Sequence, residues 1–79
     1  MNKKSNVIEF LRIKIAETLG VPVEDIQSNG NVHLLGLTSL NAVIISGEVE
    51  DEFQVEVDPL VMFENETIEQ IADKILQNG

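Results

Sequence analysis

Apolar residues recur at helical spacing along most of the chain. Ile8, Leu11, Ile15 and Leu19 form one stripe, which predicts a first helix beginning near Asn6. Asn6 is a good N-cap residue, and Glu9 three positions on makes a variant of the capping box. Gly20 supplies the stop, and Pro22 prevents the helix from resuming. Phe10 and Ile13 fall off the stripe, and the sequence leaves open whether they pack on the following loop or face solvent. A second helix is predicted over Ser39 to Phe53, with Thr38 or Ser39 as its N-cap. Gln54 to Asp58 alternates polar and apolar residues, but a lone strand would lack a partner, so it reads as loop. Pro59 suits the first turn of a short third helix running through Phe63. Ile68, Ile71, Ala72, Ile75 and Leu76 then follow the i, i+3, i+4, i+7, i+8 pattern of a last amphipathic helix, opened by a Thr67–Gln70 capping box.

Residues 20–37 form a long connection, with Pro22 and Asn29-Gly30-Asn31 as turn signals. Loops of more than about 12–15 residues are uncommon in compact domains and are often functional. Val23, Ile26, Val32, Leu34 and Leu35 are expected to pin this one to the core. The expected architecture is all-α: a small bundle of three principal helices plus a short third one, with residues 1–79 as a single domain.

The second helix differs from the others in having two apolar faces. At about 100° per residue, Ala42, Ile45, Val49 and Phe53 fall together as a core stripe. Leu40, Val43, Ile44 and Gly47 fall on another side, next to Ser39, bordered by Glu48 and Asp51. Either the long loop covers this second face, or it is a docking strip with an apolar centre and an acidic rim. Gly47 costs about 1 kcal/mol relative to Ala inside a helix; either it permits close approach by another backbone or a bound acyl chain, or it is tolerated drift.

Composition narrows the function. Seventy-nine residues allow one core. The absence of cysteine means that any thioester chemistry needs an imported thiol. Net charge is −9, and from Ile15 to Asp73 every charged side chain is a carboxylate. Such a field repels nucleic acid and anionic membranes and steers the chain toward basic partner surfaces. The basic start, Met1 to Ser5, runs into an amphipathic segment and has neither signal-peptide nor membrane-span character, so a cytoplasmic location is expected. Asn65-Glu66-Thr67 matches a glycosylation sequon, which without a secretory route is read as chance.

Catalysis by the chain itself is not expected. His33 is the only histidine, lacks a second ligand for a metal, and reads as a surface residue. The nucleophile elbow wants Gly two residues either side of its Ser, whereas Ser39 has Leu37 and Asn41 there. No Gly-rich phosphate loop is present, and the carboxylates lack both calcium-loop spacing and an obvious cleft. Ser39 does stand at a predicted helix N-terminus, where backbone N–H groups and the macrodipole favour an anion such as a phosphodiester.

These residues resemble a family. Leu35-Gly36-Leu37-Thr38-Ser39-Leu40 is similar to the Leu-Gly-Leu-Asp-Ser-Leu motif of acyl and peptidyl carrier proteins. Glu50-Asp51-Glu52-Phe53 resembles the acidic end of their second helix, and Leu19-Gly20-Val21 the end of their first. Met62-Phe63-Glu64-Asn65-Glu66-Thr67-Ile68 resembles the Phe-Glu-x-x-Thr-Ile segment before the last helix, especially in polyketide and nonribosomal peptide assembly lines. The resemblance implies a four-helix fold and a covalent 4′-phosphopantetheine arm on Ser39, added from coenzyme A by a phosphopantetheinyl transferase. Thr38 is the helix cap beside it, in place of the usual Asp. The arm's thiol would hold intermediates as thioesters for acyl-loading, condensing and tailoring enzymes with basic docking surfaces. The chain would act as a monomer. Ile44 and Gly47 stand where fatty-acid carriers commonly have an acidic and a larger apolar residue, which points to a specialised polyketide or polyketide–peptide pathway; the length of the chain suits a discrete carrier or a domain cut from a larger synthase. Other readings are a carrier for fatty-acid synthesis or for one activated amino acid, or an unmodified helical adapter.

Overall fold

The computed structural model describes residues 3–78. Met1 and Asn2, part of the basic start, lie outside the described residues. Helices α1 (Lys4–Leu19), α2 (Ser39–Phe53), α3 (Val61–Glu64) and α4 (Ile68–Asn78) follow in chain order, with 3₁₀ turns at Val23–Asp25 and Val32–Leu35 between α1 and α2. There is no strand among the described residues, and Gln54 to Asp58 is irregular. The fold is the helical bundle expected. Phe10 meets Phe53 and Lys14 meets Glu48, so α1 and α2 run antiparallel. One core joins Leu11 and Ile15 of α1, Ile45 and Val49 of α2, and Ile68, Ile71 and Ile75 of α4.

α1 starts earlier than its side chains suggested. Its N-cap is Lys3, whose carbonyl accepts from the N–H groups of Asn6 and Val7, and Asn6 caps nothing. Starting there carries Val7 fully into the core, one turn before Leu11. Burying a valine is worth about 1.5–3 kcal/mol, against about 1 kcal/mol for a good cap, so packing wins. The buried stripe becomes Val7, Leu11, Ile15 and Ala16, with Ile8 and Leu19 half-buried at its edges. The Phe10 and Phe53 rings meet edge to face at 5.4 Å, and Lys14 Nζ lies over the Phe10 ring at 5.3 Å. Ile13 is exposed. Phe53, expected in the core stripe, is half-buried, and Ser46 takes a fully inward place beside Ala42, Ile45 and Val49.

The long loop is more ordered than its turn residues suggested. The Arg12 guanidinium donates to the Ile26 carbonyl at 2.6 Å and the Val23 carbonyl at 3.0 Å, and it also pairs with Glu9 at 2.8 Å. This holds the first 3₁₀ turn against α1. Farther on, the loop is tied to α4: Val32 N–H donates to Glu66 O, and Ser28 O accepts from Glu69 N–H. Ile26 and Val32 are buried and Val23 and Leu35 half-buried, as expected, but Leu34 is exposed. In a 3₁₀ turn side chains i and i+3 eclipse, so Val32 and Leu35 face inward together and Leu34 points away.

After α2, Gln54 adopts φ 56, and the Glu50 carboxylate accepts from Val57 N–H at 2.8 Å, seating Val57 in the core. Pro59 lies in the turn before α3 and not in its first helical turn: Asp58 Oδ1 accepts from Leu60 N–H, and the helix proper begins at Val61. α4 opens with the expected reciprocal box, Gln70 N–H donating to Thr67 Oγ1 and Thr67 N–H to Gln70 Oε1.

Candidate functional site

Gly36 sets the approach to Ser39. Its φ of 79 ends the second 3₁₀ turn in a backbone conformation that a side chain would strain. The chain then extends through Leu37 and Thr38, and α2 begins at Ser39. Thr38 is the N-cap. Its Oγ1 accepts from Asn41 N–H at 3.1 Å, while its own N–H donates to Asn41 Oδ1 at 3.0 Å. Asn41 thus plays the part that Glu or Gln plays in the usual capping box, a role the sequence reading missed although the three-residue spacing signals it.

The cap places Ser39 at the first helical position, with its side chain exposed. The first N–H groups of a helix have no acceptor within it, and the 15 aligned peptide units of α2 add their dipole at the same end. An anion joined to Ser39 Oγ would meet that positive end, and α2 has no acidic residue in its first turn to oppose it. These features fit a phosphodiester on Ser39. A cleft of about 340 Å³ is lined by Val57, Val61, Lys74 and Ile75 between the α2–α3 loop, α3 and α4, and Ser39 is no part of its wall. Ser39 presents its hydroxyl outward at the capped start of α2.

The second face of α2 is not covered by the loop. Leu40, Val43 and Ile44 are 66%, 53% and 50% exposed. Gly47 is half-buried, and a side chain there would meet nothing within 4 Å among the described residues, so none of them uses the close approach it permits. The acidic rim divides. Asp51 is exposed, whereas Glu48 is half-buried and lies 3.3 Å from Lys14 Nζ. That contact with Glu48, aided by Glu17 at 3.5 Å, raises the Lys14 pKa above its ordinary value. Lys14 was not foreseen as a partner of the rim, because α1 and α2 meet only in three dimensions. His33 is exposed, and its backbone N–H donates to Asn31 Oδ1. No His, Asp or Glu cluster suited to a metal occurs among the described residues, and no helix there is long and apolar enough to cross a membrane.

Known proteins are similar in fold or in sequence. A solved free-standing peptidyl carrier protein from a secondary metabolic pathway of Acinetobacter baumannii superposes with a TM-score of 0.85 at 25% identity, over 95% of this chain and 94% of that one. A highly reducing polyketide synthase of Preussia isomera is 33% identical over 69 residues, which is 87% of this chain. The conidial yellow pigment polyketide synthase of Emericella nidulans is 26% identical over 68 residues, or 86% of this chain. This chain spans only 3% of the length of either synthase. The family model described as the phosphopantetheine attachment site matches residues 9–75. With that match over most of its length and a carrier's fold, the chain belongs to the phosphopantetheine-attachment family of carrier domains, which hold the 4′-phosphopantetheine group and are not themselves catalysts.

Proposed function

We propose that Ser39 is the attachment residue and that residues 1–79 act as one discrete, monomeric carrier unit in a specialised polyketide or polyketide–peptide pathway of the cytoplasm. The observation that carries this reading is the exposed Ser39 hydroxyl at the capped start of α2, inside the matched residues 9–75. When bound, the arm supplies the thiol that the cysteine-free chain lacks, and so a thioester link to the cargo. The chain's own residues have simpler tasks. Thr38 and Asn41 hold the first turn of α2 in place, the helix end favours the phosphodiester charge, and Leu40, Val43, Ile44, Gly47, Glu48 and Asp51 meet partner enzymes.

The similarity to two polyketide synthases supports the pathway class, and the free-standing carrier supports a discrete role. That same neighbour is a peptidyl carrier, which favours loading with a single activated amino acid as the second reading. Incubation with coenzyme A and a broad-specificity phosphopantetheinyl transferase is expected to add one group, mapped to Ser39 and lost in Ser39→Ala. A wild-type chain left unmodified by several transferases that modify a control carrier would sink the reading in favour of an adapter.

A further inference from the structure

Asn29 stands apart from the other asparagines of the loop and the caps. Asn31 Oδ1 accepts from His33 N–H, Asn41 Oδ1 accepts from Thr38 N–H, and Asn65 Nδ2 donates to the Val61 carbonyl. Asn29 is exposed, and its side-chain amide has no hydrogen-bond partner among the described residues. It is also followed by glycine, whereas the other three precede Val32, Ala42 and Glu66. The turn itself favours that glycine, since a Cβ at Gly30 would lie 3.3 Å from Gln27 Cβ. The same lack of a side chain leaves the Gly30 nitrogen uncovered toward Asn29. Gly30 N–H donates to the Gln27 carbonyl at 3.2 Å, the long end of the range for such bonds. Two ties to the region of α4 bracket this turn. Ser28 O accepts from Glu69 N–H at 3.1 Å on one side, and Val32 N–H donates to Glu66 O at 2.7 Å on the other. Asn29, Gly30 and Asn31 alone span the gap between them.

We infer that Asn29–Gly30 is a self-modification site whose isoaspartyl product releases the loop from α4. The Gly30 nitrogen gives up its proton to solvent and attacks Asn29 Cγ. The C–N bond of the side-chain amide breaks, and its nitrogen takes a proton and leaves as ammonia. Water then opens the cyclic imide. Addition at the side-chain carbonyl leaves an aspartate, and addition at the main-chain carbonyl leaves an isoaspartate, whose side-chain methylene now belongs to the main chain. Water is the one co-reactant, and nothing is oxidised or reduced. The bond from Gly30 to Gln27 must open first, and losing one hydrogen bond in a surface turn slows the reaction by no more than about tenfold. The isoaspartyl form lengthens the span between the two ties by one bond, about 1.5 Å. Ile26 and Val32 are buried on either side, so the added length is taken up where the ties to Glu66 and Glu69 are made. None of this depends on the role of Ser39.

The test is incubation of the full chain in mildly alkaline buffer beside a free peptide of residues 26–32, with peptide mapping for isoaspartate. The chain carries Asn78→Gln, which removes the second Asn-Gly pair of the sequence, Asn78–Gly79. Isoaspartate is expected at position 29 at a rate within about tenfold of the peptide's, and none there in Asn29→Ser. A chain that reacts more than about tenfold slower than the peptide overturns the site. The modified fraction carries an added carboxylate and is separated by ion exchange for amide exchange. Exchange at Val32 and Glu69 N–H is expected to be faster than in the unmodified chain by about fivefold or more. Asn29→Asp adds the same charge without the added length, so it is expected to leave both amides as they were. A smaller acceleration in the isoaspartyl fraction, or an equal one in Asn29→Asp, overturns the release of the loop.

Discussion

α2 and α4 are both amphipathic helices packed on α1, yet they treat their outer surfaces differently. α4 buries Ile68, Ile71, Ala72 and Ile75 and turns Glu69, Gln70, Asp73 and Lys74 to solvent. α2 buries Ala42, Ile45 and Val49 in the same way but also leaves Leu40, Val43 and Ile44 outside. A helix that has only to fold gains nothing from outward apolar groups, which invite association. The contrast separates a helix whose outer surface is polar from one whose outer surface is left apolar, as the docking role proposed for α2 requires. It also explains why α4 is the clearer helix in the sequence: one demand shaped it, and two shaped α2.

The largest expected effects test whether the inward faces are equivalent. Ile45→Ala in α2 and Ile71→Ala in α4 each remove a fully buried side chain and should cost about 2–4 kcal/mol. In a chain of this size that lowers the melting temperature by about 10 °C or more. Near-wild-type melting of Ile45→Ala would place the core of α2 elsewhere. Intermediate effects compare the two caps. Thr38→Ala and Thr67→Ala each remove a side-chain acceptor worth about 1 kcal/mol. Only α4 keeps a second acceptor, the Ser28 carbonyl on Glu69 N–H. Amide exchange in the first turn should therefore accelerate more in Thr38→Ala than in Thr67→Ala, and equal acceleration would deny the loop its capping role. The smallest expected effect is on the outward face. Ile44→Glu should shift stability by no more than about 0.5 kcal/mol while weakening loading by the cognate enzyme. Unfolding of Ile44→Glu would make Ile44 core and erase the distinction between the two faces of α2.

Much of this was legible in the sequence because it depends on near neighbours. The span of α2, its cap at Thr38 or Ser39, the Thr67 cap and the α4 stripe all follow from residues within one or two turns of each other. What escaped depends on partners distant in the chain or on turn geometry. Arg12 holds carbonyls 11 and 14 residues away, and no local pattern announces that. Lys14 reaches Glu48 only because two helices are antiparallel. Leu34 read as core because apolar loop residues usually anchor loops, and the phase of a four-residue 3₁₀ turn placed it outside. The early start of α1 shows tertiary burial of Val7 overriding a good cap. Ser46 is a further miss. Its hydroxyl is buried without a hydrogen-bond partner, a cost of about 1–3 kcal/mol that no pattern of apolar spacing reveals.

The two backbone bonds joining the loop to the last helix, Val32 to Glu66 and Glu69 to Ser28, bear on how the protein matures during synthesis. Until Glu66 and Glu69 have left the ribosome, the segment leading to Ser39 lacks those two partners, and α1 lacks the helix it packs on most extensively. Contacts this far apart in sequence form late, after the cost of closing the intervening chain has been met. The nascent chain can have α1 and α2 in helical form and still hold Leu34 and Gly36 in no settled position. An enzyme that reads the shape around Ser39 would then pass over the growing chain and act only on the finished one.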